Sequence, residues 1–195
     1  PMAKKSTRNT RGRIVSAAWK LFYEQGYEDT TVEEIIELSG TSKGSFYHYF
    51  DGKDALLSTL SSLFDEKYEE LTGLLTPEMT AMEQLLFLNR ELFHMIEDSI
   101  SLDLLARLYS TQLTTNGEKH LLDHNRIYYK LLRKIIAKGQ AEGQLSSRSN
   151  VNKMVKLYAL CERALLYDWC LCAGEYALTE YSAKVLPGFL SSFLP

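Results

Sequence analysis

Within eleven residues the chain sets Lys43, Tyr47, His48, Tyr49 and Lys53, with hydroxyls at Thr41, Ser42 and Ser45 before and among them. The chemistry open to such a set is nucleic-acid contact. Hydroxyls, helix N-termini and lysines position a phosphate backbone, while side chains near the start of an inserted helix read base edges. Here those starting residues are Thr41, Ser42, Lys43 and Gly44. Lys43 is the long cation among them and the expected contact to guanine O6 and N7, with Gly44 letting the backbone come close and Thr41 open to being a turn residue only. His48 or Tyr49 should add a backbone contact, and Arg8 and Arg11 would reach a minor groove if an arm before the first helix ordered on DNA. The competing reading is that these are ordinary surface aromatics beside a solvated basic segment.

Two further sets begin a chemistry and do not complete it. His120 and His124 stand four apart with Asp123 beside them, a spacing that can hold a metal on one helical face, yet no glutamate base accompanies them and a solvated helix start explains them as well. Cys161, Cys170 and Cys172 lack zinc spacing and read as small buried hydrophobes of a reducing compartment, with redox sensing as the alternative. No nucleophile elbow, phosphate loop or carboxylate-histidine set is present in the sequence. The expectation is a binding protein with no catalytic residue, metal or cofactor.

The elements that must hold these residues are helices. Ile14, Ala17, Ala18, Leu21 and Phe22 form one face of an amphipathic helix from Arg8 to Gln25, stopped by Gly26. Thr31 with Glu34 predicts a capping box on a short second helix ending at Ser39-Gly40, and Ser42 predicts the cap of a third helix with Phe46 and Phe50 inward. Asp51 is expected to cap a fourth helix running unbroken to about Leu71. Thr76-Pro77 predicts the start of a fifth, Ser101 a sixth, and Asn116-Gly117 a break before a seventh from about Glu118 to Glu142. Ser149 or Asn150 caps an eighth whose apolar residues occupy most faces, and a ninth runs through Pro187, where a kink is expected. Two short helices joined by a tight glycine turn, behind a basic first helix, is the arrangement that places a helix in a major groove.

Composition agrees. Hydrophobic residues at 45%, charged residues at 24% and only 4 Pro suit a globular all-α chain. No uncharged apolar run reaches the roughly 18 residues a membrane span needs, and no apolar signal core follows the first charges, so a cytoplasmic protein without membrane contact is expected, with Pro1 a remnant ahead of a native Met2. The net charge of -3 hides an uneven distribution: Lys4, Lys5, Arg8, Arg11, Arg13 and Lys20 all precede the first acid, Glu24.

The segments Thr31-Val32-Glu33-Glu34-Ile35-Ile36, Ser39-Gly40-Thr41-Ser42-Lys43-Gly44-Ser45-Phe46-Tyr47-His48-Tyr49-Phe50 and Gly52-Lys53-Asp54-Ala55-Leu56 closely resemble the signature of the TetR/AcrR family of transcriptional regulators. The resemblance is strong from about Arg8 to Leu57. Beyond that, helix order and the stretch Lys138-Gly139-Gln140-Ala141-Glu142-Gly143-Gln144-Leu145 are consistent with the family's C-terminal body. It implies phosphate contacts from Thr31, Ser45 and Lys53, and Tyr47 packed on the backbone or a thymine methyl. It also implies an all-α fold of about nine helices, divided into a helix-turn-helix domain at 1–54 and an effector-binding and dimerisation domain at 55–195.

A helix-turn-helix of this size binds as a two-fold dimer, and the last two helices are apolar on more faces than one core uses, so a homodimer through them is expected. A small-molecule effector is expected among Met82, Asn89, Phe93, Tyr109, Tyr128, Tyr158, Arg163 and Trp169. Each of these also fits plain core packing, and an Arg163 to Asp168 ion pair, or contacts across the dimer, would satisfy the polar members without a ligand. The function that follows is a ligand-responsive repressor on a pseudo-palindromic double-stranded operator. The alternative is a helical small-molecule binder or enzyme with a structural N-terminal bundle.

Overall fold

The computed structural model describes residues 3–114, 116 and 119–195, with side chains from Thr10 onward. Among them all regular structure is helical: α1 (Ala3–Gln25), α2 (Val32–Ser39), α3 (Lys43–Tyr49), α4 (Lys53–Leu57), α5 (Leu60–Thr72), α6 (Ala81–Ser99), α7 (Leu102–Thr114), α8 (Ile127–Ala141), α9 (Val151–Leu171) and α10 (Leu178–Phe189). Short 3-10 turns lie at His120–Leu122 and Leu190–Phe193. The all-α class expected from the 3.6-residue periodicity is what forms.

The chain divides into two packed units, the first running to Ser61 and including α7 from Asp103, the second running from Ser62 to Leu102 and from Lys119 onward. In the first unit the α1 stripe buries Ile14, Ala17, Ala18 and Phe22, and α1 packs on α2 and α3, whose own inward residues are Ile35 and Phe46. α7 joins this unit through Arg107, which is 2.6 Å from Glu28, 2.9 Å from Asp103 and 4.9 Å from the centre of the Tyr27 ring.

The fourth helix expected to run unbroken is interrupted at Ser58 and Thr59. The Ser58 hydroxyl donates to Ala55 O at 2.8 Å, Thr59 Oγ1 to Leu56 O at 2.6 Å and Ser61 Oγ to Ser58 O at 2.7 Å. Clustered hydroxyls compete for the carbonyls that would continue a helix. Trp19 Nε1 then donates to Thr59 Oγ1 at 2.8 Å, which fixes the break against α1. Gly52, not Asp51, is the N-cap of α4, and no side chain caps it.

The second unit packs α6 against α8 and α10, and α9 against α8 and α10. Leu85, Leu88, Phe93, Ile96, Leu132 and Ile136 supply much of its core. α6 begins at Ala81 behind a capping box of Thr80 and Glu83, later than Thr76-Pro77 suggested; Thr76 instead closes a turn by accepting from Met79 N. α8 begins at Ile127 rather than near Glu118, which lies outside the described residues. His120 therefore sits in a 3-10 turn and His124 in the turn after it, 4.6 Å from the Tyr129 ring, so the two do not share a helical face. Asn150 is the cap of α9, accepting from Lys153 N. Pro187 falls in the last turn of α10.

The stretch 138–145 closes α8 onto the start of α6. Gln144 Oε1 accepts from Ala81 N at 2.7 Å, and Gly139 O accepts from Gln144 N and Leu145 N at 2.8 and 3.0 Å. Glycine is required at 139, because a Cβ there would lie 2.5 Å from Ala81 Cβ and 2.9 Å from the Leu145 side chain. Overpacking of this kind costs about 1–3 kcal/mol, so Gly139→Ala should lower the urea midpoint accordingly; an unchanged midpoint would show that α6 and α8 part easily.

Candidate nucleic-acid interface

A seven-residue helix has little stability of its own and must be held by what surrounds it. For α3 the hold begins in the preceding turn. Gly40 closes α2 in the left-handed region at φ 59°, its N–H donating to Glu37 O and the next N–H, of Thr41, to Ile36 O. Arg13 on α1 donates from Nε and Nη2 to Ser39 O at 2.9 and 2.6 Å, and from Nη2 to Gly40 O. Free carbonyls at the end of α2 thus receive a guanidinium, and the turn is tied to α1. Ser42 caps α3 by accepting from Ser45 N at 3.1 Å, while Phe46 and Phe50 bury their rings 5.9 Å apart.

What this leaves outward is the face expected to read DNA. Ser42, Lys43, Gly44, Tyr47 and His48 are exposed, Tyr47 by 45% of its surface. Lys43 reaches no closer than 3.9 Å to Glu33, on an exposed pair worth little. Its Nζ lies 6.0 Å from the centre of the Tyr47 ring, so the cation and the phenol stand together. Nothing but Ser42 Oγ, at 4.0 Å, would meet a Cβ on Gly44, so a backbone or base can approach it.

The remaining expected contacts are already engaged. Thr31 forms the capping box, its hydroxyl donating to Glu34 Oε2 at 2.9 Å and accepting from Glu34 N at 3.2 Å. Glu34 is held below the usual carboxylate range by the Thr31 backbone N–H first and the Thr31 hydroxyl second. Thr41 shares a hydrogen bond with Ser39 Oγ at 2.8 Å, as a turn residue does. Ser45 and Tyr49 are half-buried, with Tyr49 against His48. Lys53 donates to Tyr27 O and Glu28 O at 2.7 and 3.2 Å and lies 4.4 Å from the centre of the Tyr27 ring, so its ammonium ties α4 to the turn that follows α1. Tyr27 gives its hydroxyl to Asp54, and burial with that carboxylate pushes the phenol far above its ordinary value. Arg11 lies 5.4 Å from the centre of the Phe50 ring, and Arg8 is inside α1, not in an arm.

In the second unit, several residues expected to meet an effector converge on one that was not foreseen. Glu162 on α9 is 4% exposed and accepts from Asn89 Nδ2 at 2.9 Å and from the Tyr128 hydroxyl at 2.6 Å. Asn89 Oδ1 in turn accepts from Ser182 Oγ at 2.6 Å, and Tyr158 donates to Leu85 O at 2.8 Å. Burial raises the Glu162 carboxyl above the usual range, against the pull of the phenol and amide donors, and holds Tyr128 and Tyr158 neutral. The signal that would have found it is the apolar spacing: Glu162 follows Tyr158 by four and precedes Leu165 and Leu166 on the inward side of α9.

The other expected effector residues do not join this cluster. Trp169 donates to Tyr176 O at 2.9 Å, Phe93 is plain core, Met82 is half-buried, and Tyr109 belongs to α7 in the first unit. Arg163 and Asp168, open to pairing with each other, do not do so. Arg163 donates to the Tyr129 hydroxyl at 3.2 Å and Asp168 accepts from Tyr176 at 2.8 Å, each finding a nearer phenol.

The described residues thus form a clamped helix-turn-helix and a second helical unit, an all-helical class of fold. Residues 14–60 match the family described as bacterial regulatory proteins, tetR family. Among curated proteins, an uncharacterized HTH-type transcriptional regulator of Lactococcus lactis is 39% identical over 56 residues, 28% of this chain and 29% of that protein. The chain thus spans about a third or less of the length of several regulators it matches. The fatty acid metabolism regulator protein of Bacillus subtilis is 23% identical over 178 residues, 89% of this chain and 90% of that one. Among solved structures, Thermus thermophilus FadR, a TetR-family repressor in complex with lauroyl-CoA, superposes with a TM-score of 0.74 at 26% identity, covering 95% of each chain. The family match thus covers the helix-turn-helix, and the likeness to Thermus thermophilus FadR extends over the rest of the chain as one of fold.

The buried carboxylate gives a pH test. A raised folded value means that the contribution of Glu162 to stability is complete below its ordinary value of 4.5 and is lost as pH climbs through the raised one. Between pH 5 and 8 the urea midpoint of the wild type should therefore fall relative to that of Glu162→Gln. Parallel midpoints across that range would mean that the carboxyl titrates as if in water.

Proposed function

We propose that the chain is a sequence-specific DNA-binding transcriptional regulator, a ligand-responsive repressor that meets a pseudo-palindromic operator as a homodimer. The observation that carries this is the α3 face: Ser42, Lys43, Gly44, Tyr47 and His48 point outward from a helix whose ends are fixed by Ser42, Gly40 and Arg13. A short helix held rigidly with its cation and phenol turned outward is built to be inserted. Lys43 reads guanine, Tyr47 and His48 pack on the backbone, and Ser45 and Tyr49 support them. Thr31, Thr41 and Lys53 act chiefly by holding the frame, since their polar atoms already have partners.

DNA reading is assigned to residues 1–54, and effector binding and dimerisation to 55–195, in a cytoplasmic protein that binds rather than catalyses. Dimerisation through the last two helices is supported by what they leave uncovered: Leu160, Tyr167 and Leu171 on α9, the last at 70%, with Tyr181 and Phe189 on α10. Apolar surface spaced along two adjacent helices suits a four-helix interface between subunits. An acyl-CoA is the effector to test first, because the Thermus thermophilus protein of the same fold holds lauroyl-CoA.

Tyr47→Ala should keep the helical spectrum and thermal midpoint of the wild type while weakening operator binding about tenfold or more, and Lys43→Ala should relax the preference for guanine at one position per half-site by about 1–3 kcal/mol. Both are read by sequencing genomic fragments recovered by the protein. Enrichment that survives Tyr47→Ala would remove α3 from the interface.

Leu171→Glu tests the dimer. Sedimentation should show a monomer that has also lost operator affinity, whereas a dimer that survives the substitution would put the interface elsewhere.

A further inference from the structure

Residues 119–160 carry nine lysines and arginines against two acids, Asp123 and Glu142, in a chain whose net charge is -3. This second basic segment lies entirely in the second unit and is not part of the helix-turn-helix. Two of its cations are neutralised, Arg126 by Asp65 at 3.0 Å and Lys138 by Glu142 at 3.7 Å. Arg133, Lys153 and Lys156 enter no ion pair among the described residues. These three, with His124 and Asn152, line an open groove of about 610 Å³ between α8, the start of α9 and the turn before α8.

The groove is shaped as well as charged. Arg133 Nη2 donates to His124 O at 2.9 Å, which holds the guanidinium and the His124 loop together at one wall. No carboxylate lines it, and Asp123, the nearest acid in sequence, turns its carboxylate to Asn125 N at 2.9 Å. Lys153 is shared with a second pocket of about 120 Å³, whose wall adds Arg148 and the apolar Met154, Leu157, Phe193 and Leu194. The first volume is that of a small-molecule site. Cations gathered around a concavity raise the local concentration of a multiply charged anion, whereas a duplex backbone asks for cations in an extended row.

We infer that this groove binds the phosphates of a small molecule that carries several of them, with the lysine ammonium groups and Arg133 as the phosphate contacts. The neighbouring pocket, lined by Ser146, Ser149 and Ser192 as well as by apolar side chains, takes whatever follows the phosphates. The inference deepens the effector reading and rests on it for its probe: coenzyme A is the phosphate-bearing half of an acyl-CoA. Lys156 stands one turn before Leu160 on α9, so the groove borders the surface proposed for the dimer.

The test is calorimetric titration of the full chain with coenzyme A, with ATP and with pantetheine, which lacks the phosphates, at low and moderate salt. Coenzyme A should bind saturably and more weakly as salt rises, and pantetheine should not bind. Lys153→Gln with Lys156→Gln should weaken coenzyme A about tenfold or more with the helical spectrum unchanged, and Lys153→Glu with Lys156→Glu should abolish binding. Absence of coenzyme A binding, equal binding of pantetheine, or indifference to the lysine substitutions would each overturn the groove. Loss of duplex DNA binding in the lysine variants with coenzyme A unaffected would also overturn it, and would assign the face to nucleic acid. If lauroyl-CoA releases the operator equally well from the lysine variants, the groove fails and the effector reading stands. If lauroyl-CoA leaves the operator bound while coenzyme A still depends on the lysines, the effector reading fails and the groove stands.

Discussion

Arg13 reaching the last carbonyls of α2 is the interaction on which the helix-turn-helix depends. A helix of eight residues ends in carbonyls with no partner inside the helix, and a reversal in a handful of residues must either satisfy them or leave them to water. Here the guanidinium takes Ser39 O with two donors, and Gly40 takes the left-handed conformation that lets the following N–H groups turn back. The exit angle of α3 is set by that pair of devices. Because Arg13 sits on α1, the turn is referenced to the longest element of its unit rather than to itself. Lys43, Gly44 and His48 then point outward without being needed to hold the turn.

Much of this was legible, because it is local. Capping at Thr31 and Ser42, the stop at Gly40, and the inward stripe of α1 are fixed by residues three or four apart, and such patterns survive folding unchanged. What was not legible depends on partners far along the chain. Lys53 reads as a phosphate contact by its place at a helix start, yet its ammonium lies on the carbonyls of Tyr27 and Glu28, 26 and 25 residues away. Arg163 and Asp168 look like a pair by proximity, and each instead meets a tyrosine. The break at Ser58 and Thr59 was written in the hydroxyls, but leucines on either side keep a helical rhythm that masks it. Thr76-Pro77 likewise drew attention from the capping box at Thr80, which is the stronger device because it satisfies two N–H groups at once.

The body shows a different constraint. A carboxyl buried as fully as Glu162 is unfavourable in an apolar core unless donors surround it, and Asn89 and Tyr128 meet that need from two other helices. Ser182 extends the set to α10 by donating to Asn89. One residue of α9 therefore specifies how α6, α8 and α10 meet it, since a slip of any of them would leave a buried polar atom without its partner. The candidate effector residues Asn89, Tyr128 and Tyr158 are bound up in this specification, so a ligand that reached them would have to replace those bonds rather than fill a vacant apolar space.

α9 carries three duties on two sides, and their compatibility explains its composition. Inward, it presents Tyr158, Glu162 and Trp169 to its neighbours; on the outer side, Lys153 and Lys156 face the basic groove at its start, and Leu160, Tyr167 and Leu171 stay uncovered further along. A helix with only a core to serve would be polar on the remaining sides. The excess of apolar residues that made this helix look buried all round is thus better understood as two separate apolar faces with a cationic end. Because the groove and the uncovered face lie on the same rigid cylinder, charge neutralised at Lys156 acts within one turn of Leu160. Anion binding at the groove would therefore alter the electrostatics at the edge of that uncovered face without any movement through the packed core.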